Sequence, residues 1–211
     1  MTNKTLAALV AGLAGASAAF GAINVVQTAA PAPTYGTVLD FDAPGSPTGQ
    51  NVPANSWAGL GLSSIVSGEG SNFVGNLSGT PGFDWLPNNN VFYGPFGVFM
   101  QFDSALSELS LQFWDSSGPS AGFGGGAAVA VGLGGQELEF YFVQNPAYAG
   151  LGDSWFNITA TEGMSFDSVT VLGFGFFPES YVDNISWNKV PAPGTASLAL
   201  LGLMVGGRRR R

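Results

Sequence analysis

Alternation is the feature that most constrains this chain. In ELEFYFV (137–143) Leu138, Phe140 and Phe142 fall on one side of an extended backbone, and in LSLQFWD (109–115) Leu109, Leu111 and Phe113 do the same. Successive side chains of a strand point to opposite faces, so a period of two buries one apolar row only in β structure. TVLDFD (37–42), AAVAVGL (127–133), WFNITA (155–160), DSVTVLGF (167–174) and YVDNISW (181–187) are similar, and GVFMQFD (97–103) is a more continuous apolar run. These segments are rich in β-branched and aromatic residues and are separated by clusters of Gly, Pro, Asn and Ser, which punctuate strands. No long helical periodicity and no internal repeat lies between residues 37 and 189, which argues against a helical domain, a propeller or a solenoid. About eight strands with such turns predict one all-β domain over 37–189, a jelly-roll-type β-sandwich. The stretch 45–95 is poorer in pattern; GSPTGQNVPANSWAGLG and TPGFDWLPNNN read as long surface loops, and GPSAGFGGG (118–126) reads as a flexible connection.

Charge narrows the function. Only 9% of the 211 residues are charged, and they are sorted by position: all fourteen acids lie between Asp40 and Asp183, whereas the six bases are Lys4, Lys189 and Arg208 to Arg211. Without its two ends the chain is an acidic body whose one base is Lys189, a surface that repels nucleic acid and anionic lipid. No nucleic-acid role is expected on that ground. The absence of histidine removes the commonest general base, the usual zinc ligand and every imidazole-based triad. The absence of cysteine fits a secreted protein and a cytosolic one alike.

Both ends read as processing devices. MTNKTLAALVAGLAGASAAFGA carries a basic start at Lys4, an apolar run from Leu6 to Ala14, and the small-x-small pattern Ala16-Ser17-Ala18. That order predicts a signal peptide over 1–19, helical in its apolar part, cut by signal peptidase after Ala18 or Ala19. A Pro- and Ala-rich linker is expected over 20–36. At the other end VPAPGTASLALLGLMVGGRRRR (190–211) joins a proline pair, an apolar stretch from Ala196 to Val205, and four arginines. A helix of about 15 residues spans roughly 22 Å, short of the ~30 Å hydrocarbon core, so it would make a marginal anchor. Arg208, Arg209, Arg210 and Arg211 would stay on the cytoplasmic side and stop translocation.

The tripartite tail is similar to the PEP-CTERM sorting signal of bacterial surface proteins. Val190, Pro191, Ala192 and Pro193 stand where that signal has its Pro-Glu-Pro motif, with Ala192 in place of the Glu. The resemblance implies recognition by the membrane transpeptidase exosortase, transient inner-membrane anchoring, removal of the tail, and delivery to the cell surface or extracellular matrix. A second resemblance concerns the body. LDFDAPGSPTGQNVPANSWAGLGL (39–62) and FDSVTVLGFGFFPESYVDNISW (166–187) resemble the first and last strands of galactose-binding-like jelly rolls. It implies a structural calcium held by Asp40 or Asp42 together with Asp183; the other reading is that Asp183 and Asn184 simply organise a strand end. Calcium takes carboxylate and carbonyl oxygens, but no D-x-D-x-D-G loop is present.

Other chemistry finds less purchase. GFGGGA (122–127) fits a dinucleotide fingerprint only superficially, because a valine-rich strand follows it where a helix is needed. A carboxylate pair could hydrolyse glycosides without histidine, yet nothing singles out a pair among acids such as Asp103, Asp115, Glu137 and Glu139. No catalytic residue is therefore expected. Carbohydrate binding would use exposed aromatic faces beside amide groups, and Trp85 with Asn88, Asn89 and Asn90 is the candidate platform, although most aromatic rings should belong to the core. The expectation is an exported, non-enzymatic surface or matrix protein, acting in structure or adhesion with exopolysaccharide as a partner. The alternative is a lectin-like module of the same fold, stabilised by calcium.

Overall fold

The computed structural model describes residues 22–28, 33–81, 83, 86–116, 126–144, 154–161, 163–175 and 177–190. Within them the alternating segments form an antiparallel all-β fold. The strands are β1 (Ile23–Thr28), β2 (Thr37–Leu39), β3 (Gly49–Gln50), β4 (Leu62–Ser67), β5 (Phe73–Asn76) and β6 (Asn90–Pro95). They continue as β7 (Val98–Asp115), β8 (Gly126–Leu133), β9 (Gln136–Gln144), β10 (Ser154–Ala160), β11 (Phe166–Gly173) and β12 (Glu179–Lys189). The one helical element among the described residues is a single 3-10 turn, Ala58–Leu60. The helices expected at the two ends lie outside the described residues.

β7 organises the whole. The sequence pattern suggests two strands, at 97–103 and 109–115, but the chain runs through both as one strand of 18 residues that changes neighbours half-way. Its first half lies between β4 and β11, with Ile65 and Val169 both opposite Met100. Its second half lies between β12 and β10, with Val182 and Ser154 both opposite Phe113. Register shifts at Leu62/Ser64, Phe166/Ser168 and Asn188/Lys189 all fall opposite residues 101–108, where the partners change. Such irregularities bend and twist a strand locally. One wing therefore reads β4–β7–β11–β8–β9, and the other reads β3–β5–β6–β12–β7–β10–β1, with β2 added beside the end of β12.

Burial follows the same division. In the first half of β7 Val98, Met100 and Phe102 are buried while Phe99, Gln101 and Asp103 are exposed, the pattern of a sheet wetted on one face. From Leu109 to Asp115 every residue is buried. Leu109, Leu111 and Phe113 enter the main core with Phe156, Ile158, Val182, Ile185 and Trp187. Trp114 points the other way, into a second cluster with Leu86, Val91 and Tyr181, flanked by Leu77, Phe83 and Tyr93. Leu77, Phe83 and Leu86 thus cover the outer face of one wing.

Two expectations need correction and one is sharpened. The stretch 45–95 supplies β3 to β6; of its two expected loops, 45–61 carries only the two-residue β3 and the 3-10 turn, and the described part of 80–90 is strand only at Asn90. Its pattern is weak because several of its apolar residues serve the second cluster on the opposite face of the sheet from the main core. The presumed 20–36 linker contains β1, which pairs with β10 along its full length, from Ile23↔Ala160 to Thr28↔Trp155, and puts Ile23 in the core. Among the described residues the paired strands therefore reach back to Ile23, inside the expected linker. TVLDFD is strand only to Leu39, because its two aspartates turn the chain, as described next.

Candidate cation site

Asp40 and Asp42 sit in a tight turn directly after β2. The N–H of Asp42 donates to Asp40 Oδ1 at 2.8 Å, the local bonding that aspartate offers a turn, and the N–H of Ala43 donates to the Asp40 carbonyl at 3.2 Å. Between them Phe41 is fully buried, edge-on to Trp57 at 5.2 Å, and pins the turn to the core.

Asp183 approaches from β12. It lies where that strand slips register against β7, and the next residue, Asn184, has a left-handed backbone, φ 48°. The irregularity sinks the Asp183 carboxyl into the sheet, where the residue is 0% exposed. Asn89, from the covering segment, donates its amide to Asp183 Oδ2 at 2.5 Å, and Asn184 donates to the same oxygen at 3.1 Å. Asn90 closes the ring: its N–H donates to Asp42 Oδ1 at 3.0 Å and its side chain to the Phe41 carbonyl at 3.4 Å. Three stretches far apart in sequence, 40–42, 89–90 and 183–184, meet here.

The centre is rich in oxygen and poor in positive charge. Asp183 Oδ1 and Asn89 Oδ1 are both buried and accept no hydrogen bond of normal geometry. Burial pushes the Asp183 carboxyl up to about 7; the charges of Asp40 and Asp42 add to the effect, while the backbone N–H groups of Asn184 and Phe41 oppose it. The one base among the described residues, Lys189, is bonded to Asp103 at 3.0 Å on an exposed surface and offers no compensation. A buried carboxylate in this setting is either protonated or matched by a cation. Carboxylate and amide oxygens without nitrogen or sulfur donors fit a hard cation such as calcium. Among the described residues no three acidic side chains lie close enough to form a metal centre unaided, so the Asn89 oxygen and water would have to complete the shell.

The resemblance-based acids Asp40, Asp42 and Asp183 are linked only through asparagines: Asn89 bonds Asp183, Asn90 bonds Asp42, and the three carboxylates do not themselves form a close group. Those two asparagines face the acids, and Asn88 accepts from Asn76 and Ser78 at 2.7 and 3.2 Å, so all three serve the loop and the acidic turn. Trp85, the aromatic part of the expected glycan platform, lies outside the described residues. Of the sorting motif only Val190 is described; its N–H donates to the Ala105 carbonyl at 2.9 Å, and Pro191, Ala192, Pro193 and the arginines lie outside. The four acids considered for hydrolysis are dispersed: Asp103 in the first half of β7, Asp115 at its end, Glu137 and Glu139 on the exposed strand β9. One surface feature had no sequence expectation: a cleft of about 390 Å³ on the outer face of β5 and β6, lined by Phe73, Phe83 and Tyr93 and rimmed by Gln50, Asn51 and Glu69. Its rings belong to ordinary alternating strands, and only the pairing of β3, β5 and β6 collects them.

No protein-family model and no curated protein matches the chain. What fold and site define is a class: an antiparallel all-β domain with one buried carboxyl, Asp183, close to an acidic turn.

Proposed function

We propose that the chain is an exported, non-enzymatic protein of the bacterial surface or extracellular matrix, with a jelly-roll-type body and a PEP-CTERM-like tail. The observation that carries this reading is where the strands begin and end. β1 starts at Ile23, just after the signal-peptide cleavage position, and β12 ends at Lys189, one residue before the proline motif. Removal of both terminal segments would open none of the strand pairs among the described residues. Signal peptidase and exosortase are the processing partners, and exopolysaccharide is the matrix partner that the tail's resemblance suggests. Calcium at the Asp40, Asp42 and Asp183 centre would neutralise the buried charge and tie the 40–42 turn and the 89–90 segment to β12. The test is cell fractionation of the intact chain beside a chain ending at Lys189. The intact chain should reach the surface fraction and the shortened one should not; equal surface delivery of both overturns the sorting role.

A second reading, a carbohydrate-binding module with the same calcium, is favoured by the open aromatic cleft on β5 and β6.

A further inference from the structure

The cleft is built by strand alternation. Val74 and Phe92 point into the main core, so Phe73 and Tyr93, cross-strand partners on β5 and β6, point outward. Gly75 leaves room for the Phe73 ring to lie over the strand: a Cβ there would sit 2.7 Å from the ring. Tyr93 is held on two sides, stacked on Tyr181 at 5.1 Å and donating its hydroxyl to Glu179 Oε1 at 2.7 Å. Phe83 packs edge-on to Tyr181 at 6.0 Å and closes one end. The result is an aromatic floor whose rings are already fixed by neighbours.

The rim is polar and uncommitted. The side chains of Gln50, Asn51 and Glu69 make no hydrogen bond to another described residue, whereas the Asn72 amide is spent on Ser67 and Val52, which fixes the turn that presents Glu69. The volume of about 390 Å³ lies within the range of small-ligand sites, in which apolar walls carry a few orienting polar groups. Rings below and amides and a carboxylate around are the chemistry that receives a sugar, whose C–H face stacks on the aromatic and whose hydroxyls donate and accept at the rim. The charge selects among sugars: Glu69 stands in the cleft and Glu179 behind it, and Lys189 is engaged by Asp103 elsewhere. Two carboxylates without a nearby base would disfavour uronates and sulfated sugars.

We propose that the cleft over Phe73 and Tyr93 binds a neutral hexose unit of a polysaccharide, with Phe73 as stacking floor and Gln50, Asn51 and Glu69 as hydroxyl partners. This rests on the carbohydrate-binding reading and assigns it a site away from Trp85. The experiment titrates the mature protein calorimetrically with maltotetraose, cellotetraose, mannotetraose and tetragalacturonate. At least one neutral tetrasaccharide should bind, with affinity lowered tenfold or more by Phe73→Ala and several-fold by Glu69→Gln. Gly75→Ala keeps every cleft residue but displaces the Phe73 ring, and should also weaken binding. Neutral-sugar binding that survives all three substitutions overturns the cleft assignment while leaving a carbohydrate-binding module. Preference for tetragalacturonate overturns the charge argument. If no tetrasaccharide binds and only an unrelated probe such as an extended peptide does, both the inference and the carbohydrate reading fall.

Discussion

Asp183 is the residue on which local energetics turn. Its carboxyl is held protonated in the metal-free fold to about pH 7, well above the ordinary range near 4. The folded state therefore binds a proton that the unfolded state has released, and metal-free stability falls as pH rises from about 4 to 7, then levels. In chelator the protein should melt higher at pH 5 than at pH 7.5, and Asp183→Asn should flatten that dependence. Calcium should reverse the order by matching the ionised carboxylate at pH 7.5, and should do little for Asp183→Asn. Identical melting in calcium and in chelator for the unaltered chain would remove the cation from the site. The glycan-platform residues teach the complementary lesson: Asn88 to Asn90 look like ligand contacts in a string of letters, yet their amides hold a loop and two aspartates. Which oxygen an amide faces is decided by residues about 94 positions away, as for Asn89 and Asp183, and no local pattern records it.

Among the elements, β7 and its neighbours set the tolerance to change. Phe113→Ala removes a fully buried ring that packs on Phe156 at 5.5 Å, and thermal or denaturant melting should report a loss of about 3–5 kcal/mol. Gly173 at the end of β11 is a sharper probe. A Cβ there would lie 2.2 Å from the Glu179 carbonyl and 2.8 Å from Asp115 Cβ, so Gly173→Ala must shift backbone. Gly79→Ala meets nothing within 4 Å and should leave the melting temperature nearly unchanged. Deleting residues 22–28 should lower stability by uncovering β10, although that stretch reads as part of a linker in the sequence. Strands with a clean period, such as β10 and β12, were legible from sequence. β1 was not, because its INVVQT core is only six residues long and is flanked by Ala and Pro. The unity of β7 was not either, because Ser104 to Glu108 break the alternation where the strand bends and changes partners.

For the whole molecule the all-β class was readable because alternation, glycine-rich turns and scarce charge all point the same way. The acidic site was reached in sequence only through likeness at the two ends of the body; the cleft, assembled from β3, β5 and β6, required their registers. The central proposal is a division of labour along the chain: an acidic folded body within Ile23 to Lys189, an export device before it and a sorting device after it. Intact-mass spectrometry of the protein recovered from the cell surface or medium tests this most directly. The predicted mass corresponds to a chain that starts at Ala19 or Phe20 and ends close to the Val190–Pro193 motif, without Arg208 to Arg211. A recovered mass that still includes the signal segment or the arginine tail would contradict it.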